Sequence, residues 1–177
     1  MRAVQCFEYI RDGRVAGRLD VQDTGDFAAV EGLLAACQQA AAVVDERVAQ
    51  YHSQTLPWVV SIRLGGVEEG RAMNRDFRGK DYATNVLSFG HDGPLEEGFE
   101  EDEAYVGDIF ICMPVIIAEA AEQGKSVADH LRHMVVHGML HLVGYDHENP
   151  TMAKAMETLE IEILASLKVA NPYADMA

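Results

Sequence analysis

The sequence predicts one domain built from both β-strands and α-helices, and three observations carry that prediction. Short apolar runs rich in β-branched residues alternate with longer amphipathic segments, and turn residues separate them. A length of 177 residues suits one domain with a substantial core. No internal repeat and no linker divides the chain, so we expect a single domain over residues 1–177.

Five short runs are typical of strands. The first alternates loosely and ends at the turn dipeptide Asp12-Gly13, which favours a hairpin with the second. The later runs are rich in valine, isoleucine and aromatic residues, as strands are. The predicted strands cover residues 4–9, 14–21, 58–64, 85–89 and 104–112.

Five longer segments are predicted to be helices, and capping residues mark most of their ends. We expect residues 24–26 to cap the first helix, Ser126 to cap the fourth and Asn149 to open the fifth. Gly79 and Gly124 are expected to end the second and third. The predicted helices cover residues 27–52, 68–77, 114–123, 127–142 and 152–167.

Three histidines near the end of the fourth helix form the pattern H-x3-H-x2-G-x2-H. His137 and His141 are four positions apart, so they project from one helical face. Gly144 is able to adopt the left-handed conformation that turns the chain and returns His147 towards them. Three neutral imidazoles leave a fourth tetrahedral position open, as a catalytic Zn²⁺ site requires. A closed structural zinc site is the alternative, but no cysteine lies within twenty residues to supply a fourth ligand.

The residue after the first of these histidines argues against a zinc peptidase. The H-E-x-x-H motif places a glutamate there as general base, whereas this chain has Gly138. The spacing matches the metal geometry of the metzincins without their base, so peptide hydrolysis by that route lacks a proton acceptor. A small-molecule metallohydrolase remains open, since it suits an acidic surface.

A basic stripe lies on the predicted second helix. Arg71, Arg75 and Arg78 are spaced i, i+4 and i+7 on one face, and Lys80 follows. Guanidinium groups match phosphate oxygens in bidentate geometry, so the stripe is a candidate anion site. The alternative is a solvated face whose arginines pair with the aspartates at positions 76 and 81.

Three further residues have two interpretations each. His130 and His133 precede His137 by about two turns and one turn, and either contact phosphate or support the metal ligands, or are ordinary hydrogen-bonded histidines. Asp146 either orients an imidazole through its second nitrogen or bonds its own backbone in a turn.

Composition and charge limit the class of protein. The formal net charge of −15 argues against a general nucleic-acid binder, and the acidic cluster at 95–103 is interpreted as a solvated loop. No apolar run reaches the roughly eighteen residues needed to span a bilayer, and the first residues lack the apolar core of a signal peptide. Cys6, Cys37 and Cys112 are unpatterned, so we expect a cytoplasmic protein with reduced, mostly buried thiols.

Three blocks of this sequence resemble one known family. Residues 133–147, HMVVHGMLHLVGYDH, closely resemble the signature of the YbeY family of bacterial endoribonucleases. Residues 73–89, MNRDFRGKDYATNVLSF, are similar to its central block, and residues 107–112, GDIFIC, to its short strand motif. The resemblance runs from about Trp58 to the carboxyl terminus and leaves the first fifty or so residues uncovered. Ala83 and Gly90 depart from it, because the family often has proline at these positions.

The resemblance implies an α+β fold with a central mixed sheet of about four strands and about five helices around it. It also implies a zinc-dependent endoribonuclease that matures ribosomal RNA, notably the 3′ end of the small-subunit RNA, and supports ribosome quality control. His137, His141 and His147 carry over as metal ligands and Arg78 as the functional arginine.

Residue chemistry and resemblance together give one mechanistic hypothesis. One Zn²⁺ per chain, held by the three histidines, activates a water, while Arg78 neutralises charge on the phosphate of single-stranded RNA. We expect His137 and Arg78 to be catalytic and Arg71, Arg75, Lys80 and His133 to bind substrate. The 2′-hydroxyl of RNA competes with water as nucleophile, and nickel competes with zinc for imidazole ligands. The alternative function is a ribosome-associated assembly factor, with ribosomal proteins as partners and a mainly structural zinc site.

Overall fold

A five-stranded mixed sheet forms the centre of the structure, a computed structural model that describes residues 4–27, 32–48, 56–90 and 103–174. The strand order is β1-β2-β3-β5-β4. The α+β fold is therefore confirmed, with five strands where the resemblance implied about four. The strands are β1 (Gln5–Arg11), β2 (Arg14–Asp23), β3 (Trp58–Gly65), β4 (Val86–Gly90) and β5 (Ala104–Cys112).

Both edges of the sheet are antiparallel and its centre is parallel. β1 pairs with β2 through a tight turn in which Asp12 and Gly13 have φ angles of 53° and 74°. Positive φ at both central residues is typical of the hairpin turn whose twist matches that of the strands. β3 is parallel to β2 and to β5, while β4 runs antiparallel to β5.

In the described part of the chain, five helices lie on the two sides of this sheet. The fourth helix is central, because it contacts the first, third and fifth helices as well as β4 and β5. The helices are α1 (Leu33–Val48), α2 (Val67–Arg78), α3 (Met113–Gln123), α4 (Val127–Leu142) and α5 (Pro150–Ser166).

The main core lies between the sheet and α1, α4 and α5. Alternate residues of β3, such as Val60 and Ile62, point into this core and are almost fully buried. Leu131 and Val135 of α4 are fully buried in the same core. A smaller core on the other face joins α2 to β4 and β5 through Phe110 and its neighbours. As a result, α4 and α2 lie on opposite faces of the sheet.

The first helix begins later than predicted. It begins at Leu33, and the expected cap residue Thr24 instead donates both its backbone N–H and its hydroxyl to the carbonyl of Leu64, each at 3.0 Å. These bonds extend the pairing of β2 with β3. Thr24 therefore stabilises the end of the sheet and does not cap the helix. The predicted ends of this helix, at residues 28–31 and 49–52, lie outside the described residues.

Two other predicted caps are confirmed. The Ser126 hydroxyl accepts a hydrogen bond from the Asp129 backbone N–H at 3.1 Å, and the Asn149 side chain accepts one from Met152 at 2.9 Å. These bonds fix the start of α4, which carries His137 and His141, and the start of α5, which follows His147.

The remaining sequence predictions concern the acidic cluster, the cysteines and membrane-spanning segments. Of the acidic cluster at 95–103, only Glu103 is described, and it pairs with Arg18. Cys37 and Cys112 are buried free thiols, whereas Cys6 is exposed. Among the described helices, none has both the length and the apolar character needed to cross a bilayer.

Candidate metal centre

The three predicted metal-binding histidines converge at the end of α4. Gly144 follows the helix with a φ of 103°, which confirms the predicted left-handed turn. The turn returns His147 to the helix, and its ring centroid lies 4.9 Å from that of His141 and 5.8 Å from that of His137. One nitrogen from each of the three rings lies within 4.8 Å of the others, a group able to hold a metal ion.

Hydrogen bonds at Nδ1 fix the orientation of the two helical rings. The Nδ1–H of His141 donates to the Tyr145 carbonyl at 2.9 Å, and the Nδ1–H of His137 donates to the Glu160 carboxylate. A carbonyl and an ionised carboxylate only accept hydrogen bonds, so both Nδ1 atoms carry the proton. A ring that is protonated at Nδ1 alone presents a lone pair at Nε2, the atom that binds metals.

The two Nε2 atoms of His137 and His141 face each other at 3.0 Å. In the neutral rings neither atom has a hydrogen to share, so two lone pairs are held together. A cation between them relieves this repulsion. Two nitrogens each 2.0–2.1 Å from a tetrahedral zinc lie about 3.4 Å apart, close to the spacing seen here. The donor set and its spacing thus fit a divalent ion that prefers imidazole.

Burial favours the neutral form of one of these rings. The pKa of His141 is lowered from its ordinary value by burial first, and then by the neighbouring His137 and His147. A neutral imidazole is the form that ligates a metal, so the surroundings prepare this side chain for that role.

Glu160 is the fully buried carboxylate behind His137. Burial alone raises its pKa, but the neighbouring His133 and the hydrogen bonds from His137 and Tyr173 outweigh that effect and lower the pKa to about 2. The Tyr173 hydroxyl donates to Oε2, so the two carboxylate oxygens have different partners. A carboxylate that accepts from the second nitrogen of a ligating histidine orients the ring and raises its basicity.

Glu160 and Tyr173 were not predicted from the sequence to be part of the site. A signal for Glu160 was present, because it lies on the same face of α5 as the buried residues Met156 and Ile163. A glutamate on an apolar helical face is rare unless it is paired. Tyr173 lies beyond the last helix, in a segment without any pattern that points to the site.

The histidines open into a cavity of about 560 Å³. Arg78 and Lys80 from the end of α2 line the same cavity, so one cation of the predicted basic stripe and the lysine after it face the candidate metal site. Asp146 also lines it, and its Oδ1 accepts from the His147 backbone N–H at 2.7 Å, as a turn residue does.

Arg78 is held in place by the strand between the two helices. Its Nη2 donates to the Ser88 carbonyl at 3.0 Å, and its Cζ lies 5.3 Å from the ring centre of Phe89. The Ser88 hydroxyl in turn donates to the Gly138 carbonyl of α4 at 3.3 Å. Residue 88 thereby connects the arginine to the helix that carries His137.

The end of α2 explains why Arg78 reaches the cavity. Gly79 takes a φ of 69° and its N–H bonds the carbonyl of Arg75, which ends the helix directly after Arg78. The buried Asn74 side chain then donates to the Tyr82 carbonyl at 2.7 Å. This bond folds the following loop back, so that Lys80 lies on the rim of the cavity.

Arg71 and Arg75 are placed differently. Arg71 makes two hydrogen bonds to Asp81, at 2.8 and 2.9 Å, and Arg75 bonds Asp76 at 3.0 Å. Both arginines are exposed and neither lines the histidine cavity. Pairing with these two aspartates is the alternative that the sequence left open, and substrate contact by either arginine stays a prediction.

His133 is buried and points away from the cavity, towards Glu160 and Tyr173. Its Nε2 lies 3.7 Å from the carboxylate and 3.5 Å from the phenol oxygen. Contact of His133 with substrate stays a prediction, whereas its place beside the partner of His137 is a structural fact.

Position 138 is closely packed, which disfavours the glutamate that serves as general base in a zinc peptidase. A Cβ on Gly138 would lie 3.1 Å from Cδ1 of Ile109 and 3.2 Å from the Ser88 hydroxyl oxygen. This position faces the sheet, and a glutamate there would have to enter the contact between helix and sheet. Glycine therefore permits the close approach of α4 to the strands.

Comparison with known proteins agrees with this arrangement. A family model described as "Endoribonuclease YbeY" matches residues 29–168, so the similarity begins well before Trp58. The "Endoribonuclease YbeY" of Aromatoleum aromaticum is 54% identical over 115 residues, which cover 65% of this chain and 70% of the relative. That of Azoarcus sp. (strain BH72) is 55% identical over 119 residues, covering 65% of this chain and 46% of the relative.

A solved structure supports the fold. The solution structure of a structural-genomics target from Thermotoga maritima aligns with a TM-score of 0.51 at 24% identity. The alignment covers 85% of this chain and 91% of the other.

Proposed function

The chain belongs to the YbeY family of endoribonucleases, and we propose that it is a zinc-dependent enzyme that cleaves single-stranded ribosomal RNA. The proposed role is late 3′-end maturation of the small-subunit RNA and ribosome quality control, in the cytoplasm. One domain over residues 1–177 is proposed to carry the activity. The observation that supports it most is the meeting of three histidine nitrogens and one arginine in a single cavity.

His137, His141 and His147 are the proposed ligands of one Zn²⁺. When bound, such an ion supplies Lewis-acid stabilisation of phosphate charge and lowers the pKa of a water. Glu160 orients the ring of His137 from behind, and the Tyr145 carbonyl does the same for His141. The two rings are therefore positioned before the substrate arrives.

Arg78 is the proposed phosphate ligand. Among the described residues, its guanidinium uses one N–H on the Ser88 carbonyl, which leaves the other donors for phosphate oxygens. Lys80 adds a second positive charge on the same rim. Together they would stabilise the charge that develops on the phosphorus-bound oxygens during cleavage. Arg71, Arg75 and His133 are proposed as weaker contributors to substrate binding.

An assembly factor with a structural zinc site is the second candidate, with ribosomal proteins as its partners. The net charge of −15 favours it, because an acidic protein gains little from the RNA backbone alone. The open cavity beside the histidines favours the enzyme, since structural zinc sites are closed by four protein ligands.

Cleavage of single-stranded ribosomal RNA by the Arg78→Ala variant tests the proposal. We expect turnover to fall by about a hundredfold or more, as for loss of one preorganised charge-stabilising donor, with zinc content unchanged. Arg47→Ala is the matched control, because Arg47 lies on α1 and pairs with Glu162 away from the cavity. Full activity of Arg78→Ala, or equal loss of zinc and turnover, would contradict the assigned role. Wild-type protein that binds zinc but leaves RNA intact would favour the assembly factor.

A further inference from the structure

Among the described residues, a second cavity of about 570 Å³ lies between α2 and the face of the sheet opposite to α4. Apolar side chains of α2 and the sheet form its wall, and polar side chains of the central strands form its floor. An apolar wall with a few convergent polar groups is typical of sites for small organic groups. Phe77 and Phe89 belong to the wall, and Ser61, Arg63 and Asp108 belong to the floor.

Phe77 is the unusual residue of this cavity. Its side chain stands at the last turn of α2 with 63% of its surface exposed. Its ring centroid lies 5.2 Å from that of Phe89, with an angle of 65° between the planes. The edge-to-face contact supports the ring from one side and leaves its other surface open to a partner.

The floor of the cavity suits an uncharged ring with a polar edge. Arg63 is already paired with Glu69 and Gln22, so its charge is largely satisfied. Asp108 accepts a hydrogen bond from Tyr105 on one oxygen, and Ser61 adds a hydroxyl. A phosphate would meet the carboxylate of Asp108, whereas amino and imino groups of a nucleobase donate to such acceptors.

Arg78 connects this cavity to the histidine cavity. It directly follows Phe77, lines the histidine cavity and lies 5.3 Å from the ring centre of Phe89, which lines the second cavity. Arg78 and Phe89 thus form the partition between the two. A phosphate on one side and a base on the other are separated by only a ribose in single-stranded RNA.

We propose that the second cavity is a nucleobase subsite, in which one base of single-stranded RNA stacks on Phe77 while a neighbouring phosphate contacts Arg78. This inference rests on the proposed function and names its substrate subsite. Stacking on an aromatic ring tolerates every base, and it requires an unpaired base, because a base inside a duplex has no free face. The subsite therefore selects for single strands.

Binding of a fluorescein-labelled RNA of about ten nucleotides, within the site sizes known for single-strand binders, tests the subsite. Anisotropy is measured on the zinc-loaded protein while gels show the RNA intact. We expect Phe77→Ala to weaken binding about tenfold, as loss of one stacked base does, and Phe77→Trp to keep wild-type affinity. Ile10→Ala is the matched control, because Ile10 is 62% exposed on β1 and lines neither cavity.

An abasic ribose placed at each position of the RNA in turn completes the test. One position should weaken wild-type binding by the same factor as Phe77→Ala, and the two changes together should cost no more than either alone. Unchanged affinity of Phe77→Ala, or additive effects at every position, would overturn the subsite and point to a protein segment as the occupant. The proposed function fails separately, if wild-type protein does not cleave RNA or Arg78→Ala cleaves normally.

Discussion

The two halves of α4 each carry two histidines at nearly the same spacing, but the hydrogen bonds of these histidines differ between the halves. His130 and His133 in the first half are buried, and within the described part of the chain their Nδ1 atoms lack a hydrogen-bond partner. His137 and His141 in the second half donate from Nδ1 to Glu160 and to the Tyr145 carbonyl. Their Nε2 atoms consequently point towards each other and line a cavity.

We infer from this difference that the partner at Nδ1 decides whether a ring leaves its Nε2 atom free for a metal ion. His130 uses Nε2 on Glu119, at 2.7 Å, so its metal-binding atom is already occupied. Spacing along the helix brings all four rings to one side but leaves this choice open. A buried carboxylate or a carbonyl that accepts from Nδ1 leaves Nε2 free to bind a metal ion. A carboxylate that bonds Nε2 itself occupies that atom.

The largest expected effect is a difference in metal affinity between variants of the two halves of α4. We expect His141→Ala to abolish tight metal binding. The loss of metal affinity should exceed the ~10–100-fold loss that is typical when a residue hydrogen-bonded to a metal ligand is removed. His130→Gln is the matched variant, since its amide still reaches Glu119 and its metal affinity should equal that of the wild type. Competition with a zinc-chelating dye measures both affinities. Similar losses in the two variants would mean that the halves of the helix are equivalent.

A second change tests the partner behind the ring. We expect Glu160→Gln to lower metal affinity about 10–100-fold, because a neutral amide accepts the His137 Nδ1–H more weakly than a carboxylate. Tyr173→Phe removes the donor on the other carboxylate oxygen and leaves the His137 contact, so it should cost less. The dye competition reports the affinities, and thermal unfolding without metal shows whether each variant is folded. If Tyr173→Phe costs as much as Glu160→Gln, the carboxylate supports the buried network as a whole rather than His137 in particular.

Local signals predicted the helix and its turn well. The bounds predicted for α4, residues 127–142, match the structure. The Ser126 cap and the glycine turn both depend on residues close to the ends of the helix, so the local sequence is enough to predict them. The first helix was predicted to begin too early, since Thr24 bonds Leu64, forty positions away. Glu160 lies twenty-three positions from His137, so this contact was also hidden from local patterns.

The arginine stripe shows the limit of helical periodicity. Arg71, Arg75 and Arg78 share the predicted spacing, yet only Arg78 lines the histidine cavity. The reason is the end of the helix, where Gly79 turns the chain and the arginine before it reaches the Ser88 carbonyl. Periodicity gives the face of a helix, whereas the partners of each side chain come from strands that the pattern does not locate.

The smallest expected effect concerns the first half of α4 alone. Burial lowers the pKa of His130 from its ordinary value; Glu119 opposes this, while Lys125 and His133 reinforce it. The unfolded chain therefore binds more protons at this residue than the folded one, and stability is lost as pH falls through about 6.5. In His130→Gln this contribution is absent, so the free energy of unfolding should vary less between about pH 5 and pH 7. Urea unfolding of both proteins across that range measures the difference in slope. Equal slopes would mean that His130 titrates as a solvent-exposed histidine does, and the contrast between the two halves would then rest on His137 and His141 alone.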